Sequence, residues 1–125
     1  MPMHNIISKE IIAFTSDNSA SSFVIPELYF YDNGGAMAAG YFDINTEKYS
    51  TLKIRAVTMK NSQNYDWVGI SISANGSTLL SLRPGATQTE CSWSNKVIDV
   101  SNFDSIRFNY DVFGAYIRVY DFELR

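Results

Sequence analysis

Phe42-Asp43-Ile44-Asn45 and, two residues on, Lys48-Tyr49-Ser50-Thr51-Leu52-Lys53-Ile54 come back later in the chain as Ile98-Asp99-Val100-Ser101 running straight into Asn102-Phe103-Asp104-Ser105-Ile106-Arg107-Phe108. Each copy reads as strand, corner, strand. Asp43 and Asn45 in the first copy, and Asp99 and Ser101 in the second, have short polar side chains that bond nearby backbone N–H groups and stop a strand. Tyr49 and Phe103 are spaced to tuck beneath the corner, and an alternating strand follows each. Two such corners predict an all-β chain folded as an antiparallel two-sheet β-sandwich.

The rest of the chain extends the pattern. Segments near 8–14, 22–31, 36–44, 51–59, 67–74, 77–83, 87–93, 96–100, 104–113 and 115–124 are rich in Ile, Val, Phe, Tyr and Thr, with polar clusters such as Asn61-Ser62-Gln63-Asn64 between them. Leu52, Ile54 and Ala56 alternate with Lys53 and Arg55, as Ile106, Phe108, Tyr110 and Val112 do with Ser105, Arg107, Asn109 and Asp111. That period of two marks sheets wet on one face. In the last strand Ile117 and Val119 share one phase and Phe122 and Leu124 the other, which predicts a bulge near Tyr120-Asp121. Asp32-Asn33-Gly34-Gly35 lacks the lysine and helix of a phosphate loop and reads as a hairpin turn.

Asn75-Gly76 marks the clearest hairpin. A two-residue loop would set Ile70 against Ser81 and Ser71 against Leu80, mixing polar and apolar residues on both faces. A three-residue loop, Ala74-Asn75-Gly76, pairs Val68 with Leu82, Ile70 with Leu80 and Ile72 with Thr78, and is the predicted register.

At 125 residues, 46% hydrophobic and 18% charged, the chain is expected to form one domain over 1–125, with 1–7 as a frayed arm. A single cysteine allows no internal disulfide. The N-terminus has no basic start and no apolar run of signal-peptide length, and no stretch approaches a membrane span, so the expectation is synthesis in the cytoplasm and no membrane partner. A net charge of -3 gives no electrostatic reason to bind nucleic acid.

The stretch from Lys96 to Arg125, with its Val97-to-Phe108 corner and its closing Tyr116-Ile117-Arg118-Val119-Tyr120-Asp121-Phe122-Glu123-Leu124, resembles jelly-roll carbohydrate-binding modules and the similar galactose-binding-like domains in tail and baseplate proteins of phages and prophages of Gram-positive bacteria. The resemblance extends over about the last two-thirds of the chain. It implies jelly-roll topology, no catalysis, and either glycan binding or a structural role in a virion. It also implies a structural calcium, no other cofactor being called for, where the final strand meets the N-terminal segment. Asp121 stands at the matching position, and Asp17, Asn18 and Glu10 are oxygen donors able to complete such a set. The missing signal peptide favours a phage particle released by lysis, with other particle proteins, a second copy of the chain or a cell-wall glycan as partners.

Catalytic chemistry has little to draw on. His4, the one histidine, lies in the N-terminal arm, and Cys91 shares the phase of Trp93 and reads as a small core residue. Two such residues in all are too few for zinc. Asp66, Glu90, Asp111 and Asp121 are carboxylates of the kind glycoside hydrolysis uses in pairs, but strand alternation sends most of them to solvated faces or corners. The expectation is a protein that is not an enzyme.

Aromatic residues carry the positive signal, because sugars stack their C–H faces on rings whose edges are lined by polar groups. Trp67 leads: it is opposite in phase to Val68, Ile70 and Ile72, beside Tyr65 and after Asn64. Tyr116, Arg118 and Tyr120 form a second outward stripe, opposite in phase to Ile117 and Val119. That stripe suits a protein interface equally well, since Tyr and Arg favour both.

Overall fold

A computed structural model describes residues 22–25, 27–32, 38–61 and 67–125. The strand expected near 8–14 and the arm at 1–7 lie outside them. Among the described residues the chain forms β1 (Phe23–Ile25), β2 (Leu28–Asp32), β3 (Ala38–Asn45), β4 (Thr51–Lys60), β5 (Trp67–Ala74), β6 (Ser77–Leu82), β7 (Glu90–Asp99), β8 (Ser105–Phe113) and β9 (Ala115–Leu124).

Two antiparallel sheets result. In the first, β9 has β1 and β2 end to end on one side and β4 on the other, with β7 outermost; the second runs β3-β8-β5-β6. The pairings are nested: β1 and β2 with β9, β3 with β8, β4 with β7, β5 with β6. The chain is thus one long hairpin rolled up on itself, and β4–β9 and β5–β8 contacts close the two sheets. That winding is a jelly-roll sandwich. The alternation read from sequence holds, with Leu52, Ile54, Ile106, Phe108, Val112 and Phe122 all within 1% of full burial. Phe30 spans the two layers, its ring 4.3 Å from Tyr110 and 6.1 Å from Phe108, which in turn stacks 4.9 Å from Phe42. Each buried aromatic contributes roughly 1.5–3 kcal/mol of transfer free energy, and through Phe30 this stack ties the two sheets together.

The two corners that announced the fold lie side by side and hydrogen-bond reciprocally. The Thr46 N–H donates to the Asp104 carbonyl at 2.9 Å, and the Val100 N–H donates to the Ser50 carbonyl at 2.8 Å. Within each corner, Tyr49 N–H donates to Thr46 and Phe103 N–H to Val100, both at 3.0 Å. Asn45 Oδ1 accepts from the Glu47 N–H, and Asp99 Oδ1 from the Ser101 N–H, both at 2.8 Å. The spatial correspondence is therefore Asn45 with Asp99 and Thr46 with Val100. No gap is needed between the copies, unlike the alignment by residue type. The Ser101 hydroxyl and N–H together hold the exposed Asp99 carboxyl below its usual range.

Four expectations are corrected. Asn75 and Gly76 have φ of 51° and 78°, so the hairpin loop is the two-residue type I′ turn after all. Its polar–apolar mismatch is cured by a bulge: Ser73 pairs with Thr78 but Ile72 pairs with Leu80, leaving Leu79 as the extra residue, and Ile70 meets Leu82. The segments at 87–93 and 96–100 are one strand, β7, kinked where Asn95 adopts a φ of 54°. Two pieces, β1 and β2, stand where one strand over 22–31 was expected, with Pro26, which has no N–H to give a ladder, between them. Finally, β2 and β3, expected to pair as a hairpin, belong to different sheets; residues 33–35 of the expected turn lie outside the described residues.

The bulge expected at Tyr120-Asp121 is present, and it has a counterpart. Arg55 on β4 pairs with Asp121 while Ala56 pairs with Val119, so Tyr120 is extra on β9. On the other side of β4, Ile54 pairs with Lys96 and Ala56 with Trp93, so Ser94 and Asn95 face Arg55 together. Both neighbours of β4 are irregular at one level, and the first sheet bends there.

Candidate functional site

The bend shapes the outward face of the first sheet. Along β4 the outward residues after Arg55 are Val57 and Met59. Tyr116 and Tyr120 rise from β9 on one side, and Glu90, Ser92 and Ser94 from β7 on the other. Arg55, Glu90, Ser92, Trp93, Ser94, Tyr116 and Tyr120 line a groove of about 360 Å³ floored by Ala56 and Val57. From Arg55 to Val57 it follows about 7 Å of strand.

One flank of the groove is a layer of rings and guanidinium groups. The Arg55 guanidinium lies 4.7 Å, and that of Arg118 4.9 Å, from the centre of the Tyr120 ring. Arg55 Nε donates to Asp121 at 3.0 Å and Arg118 Nε to Glu27 at 2.9 Å, so each cation is neutralised on the spot. The Glu27 bond, which outweighs the lowering by burial and is helped by the charge of Glu27, raises the Arg118 pKa above its ordinary value. Arg118 also lies 5.8 Å from the Tyr29 ring, which is 5.8 Å from Tyr116 at a tilt of 34°. The Tyr116 hydroxyl donates to Met59 Sδ at 3.0 Å, and burial, followed by the fields of Tyr29, Tyr120 and Glu90, raises its pKa. Exposed ion pairs of this kind add roughly 0–1 kcal/mol to stability, so their clearest effect is to hold the rings in fixed poses.

The second sheet carries a smaller aromatic group on its own outward face. Trp67, 45% exposed, pairs across strands with Phe113, and their rings are 5.7 Å apart at 37°. Two pairs further on, on the same face, Gly69 faces Asp111. A Cβ on Gly69 would collide with the Arg83 guanidinium, which fills the space left by the missing side chain. Arg83 Nη1 and Nη2 donate to the two Asp111 oxygens at 3.0 and 2.6 Å.

Tyr116, Arg118 and Tyr120 thus stand together as the sequence suggested. Trp67 does not join them, being on the opposite sheet. Asn64 and Tyr65 lie outside the described residues, as do Glu10, Asp17 and Asn18 of the expected calcium set. Asp121 is engaged by Arg55, and among the described residues no three His, Cys, Asp or Glu side chains are grouped to hold a metal ion. The described residues therefore bring one carboxylate to that set, already paired with a cation. Sequence reading did not assign Tyr29, Arg55, Glu90, Ser92 or Ser94 to this face. Only the pairing of β9 with β2 and of β4 with both β9 and β7 brings them there.

No family model and no curated protein matches the sequence. Among solved structures, the chain is similar to the K3 cleaved adhesin domain of Lys-gingipain from Porphyromonas gingivalis w83, with 14% identity, a TM-score of 0.47, and coverage of 79% of this chain and 71% of that one. It is also similar to the VP2 subviral particle of infectious bursal disease virus, at 12% identity and TM-score 0.37 over 82% of this chain and 36% of that one. A third similarity is to Desmodium yellow mottle tymovirus, at 12% identity and TM-score 0.35 over 82% and 85% of the two chains.

Proposed function

We propose that the chain is a non-catalytic binding domain that seats a short stretch of saccharide in the groove along β4. The observation that carries this reading is the combination in one concavity of the Tyr116 and Tyr120 rings with hydrogen-bonding groups from Glu90, Ser92, Ser94 and Arg55. Sugar rings offer C–H faces and hydroxyl edges, and this groove offers the complement of both. Of the described residues lining it, Glu90 is the one carboxylate, where glycoside hydrolysis takes two. The test is affinity electrophoresis against a panel of mixed-linkage β-glucan, xylan, galactomannan and Gram-positive cell-wall polysaccharide. Wild type is expected to be retarded by at least one polymer, and Tyr116→Ala with Tyr120→Ala to weaken that retardation roughly tenfold or more. No retardation of the wild type, or none lost in the double variant, overturns the reading.

The setting we propose is a phage or prophage particle, as a structural or accessory component; the resemblance of Lys96 to Arg125 supports it. A second reading, an interface with particle proteins or another copy of the chain, is favoured by the enrichment of that flank in Tyr and Arg. Light scattering separates the two. A defined oligomer that dissociates on Tyr120→Ala supports the interface, and a monomer supports the groove.

A further inference from the structure

We infer that the domain is bivalent: the Trp67–Phe113 face is a second saccharide site, so one molecule joins two chains of an uncharged glycan. This rests on the saccharide reading of the β4 groove. The two faces share their chemistry although they share no residue and no strand. Each sets aromatic rings beside a guanidinium held by a carboxylate: Tyr120 beside Arg55–Asp121 and Arg118–Glu27, and Trp67–Phe113 beside Arg83–Asp111.

On the second sheet the arrangement depends on Gly69. With no Cβ there, the guanidinium sinks against the strand beside the Trp67–Phe113 pair, and the bidentate bond to Asp111 fixes its orientation. A ring pair beside a hydrogen-bonding guanidinium–carboxylate pair is amphipathic in the way a sugar ring is. Because every guanidinium named on the two faces already has its carboxylate, an anionic polymer gains little attraction, which selects for uncharged saccharides. Val68 and Val112, neighbours of Trp67 and Phe113 in their strands, are fully buried. The whole core therefore separates the two faces, and sheets in a sandwich lie about 10 Å apart before side chains are added. The sites face away from each other, which is the geometry of a cross-linker.

The test uses whichever panel polymer retards the wild type and follows light scattering of that polymer as protein is added. Wild type is expected to raise the scattering through cross-links, with no loss of effect between 50 and 500 mM salt, roughly a tenfold span that screens exposed charges. Trp67→Ala should abolish the rise yet remain retarded, Trp67→Phe should restore it, and Tyr116→Ala with Tyr120→Ala, though retarded more weakly than wild type, should keep a residual retardation without cross-linking. Removing all three rings should end retardation. If the wild type is retarded but does not cross-link, or if Trp67→Ala cross-links as well as wild type, bivalency is wrong and the groove reading stands. If no polymer retards the wild type, both fall. Should Trp67→Ala lose its β-sheet circular dichroism, Arg83→Ala serves instead and is expected to lose cross-linking alone; undiminished cross-linking by it overturns the second site.

Discussion

Thr46 and Val100 occupy equivalent places in the two corners, at 1% and 0% exposure, but Thr46 alone adds a side-chain bond, its hydroxyl donating to the Phe103 carbonyl at 2.5 Å. Thr46→Val makes the corners alike in shape and removes that bond. The expected loss is about 1 kcal/mol, seen as a lower urea midpoint with an unchanged m-value. A midpoint at or above that of wild type contradicts the role given to the hydroxyl.

Tyr49 presents the opposite case. It is 4% exposed, and among the described residues its hydroxyl has no hydrogen-bond partner. Tyr49→Phe is expected to stabilise the protein by about 1 kcal/mol, because a buried unpaired hydroxyl is lost at little cost in packing.

Burial raises the pKa of Tyr49 above 10.0, and raises those of Tyr110 and Tyr116 likewise. In that range the folded state binds more protons than the unfolded one, so stability is complete below pH 10 and falls as pH climbs through the raised values. Melting temperature followed from pH 9 upward should fall, and Tyr49→Phe should make the fall shallower. Parallel curves would show that Tyr49 titrates alike in both states.

Gly76→Ala isolates the cost of the turn. A Cβ there meets nothing within 4 Å, so the penalty comes from its φ of 78° alone. A loss of roughly 1–2 kcal/mol is expected, and Asn75→Gly should be close to neutral.

Asp121 frames the metal question. Its carboxylate is paired with Arg55 at 3.0 Å, so EDTA is expected to leave the melting temperature where it was. A fall on chelation, reversed by calcium, would show that the protein holds the ion.

What was legible in the sequence was local. The corners could be read because Asn45 and Asp99 cap backbone two residues away, and the Tyr120 bulge because it reverses a phase visible in Val119 and Phe122. The Leu79 bulge could not be read, since Ser77, Thr78 and Leu79 are tolerable on either face and only pairing with Ile72 decides among them. Half of the groove was hidden for a related reason. Tyr116 and Tyr120 announce themselves by alternation, whereas Glu90 and Ser92 gain meaning only from a β4–β7 register that crosses some thirty residues of chain.

Nested pairing also orders events in time. The Asn75-Gly76 turn lies at the centre of every nested pair, and hairpins around such turns close in about 1–10 μs. Each later pair, β4 with β7, β3 with β8 and at last β2 and β1 with β9, must bring together segments farther apart than the pair before, and long-range closure is what makes β topologies slow. Phe23 with Leu124, the outermost pair among the described residues, is then expected to be the last to form and the first to open. The innermost hairpin sets the rate at which the roll begins, and the outermost sets how long its two ends stay shut.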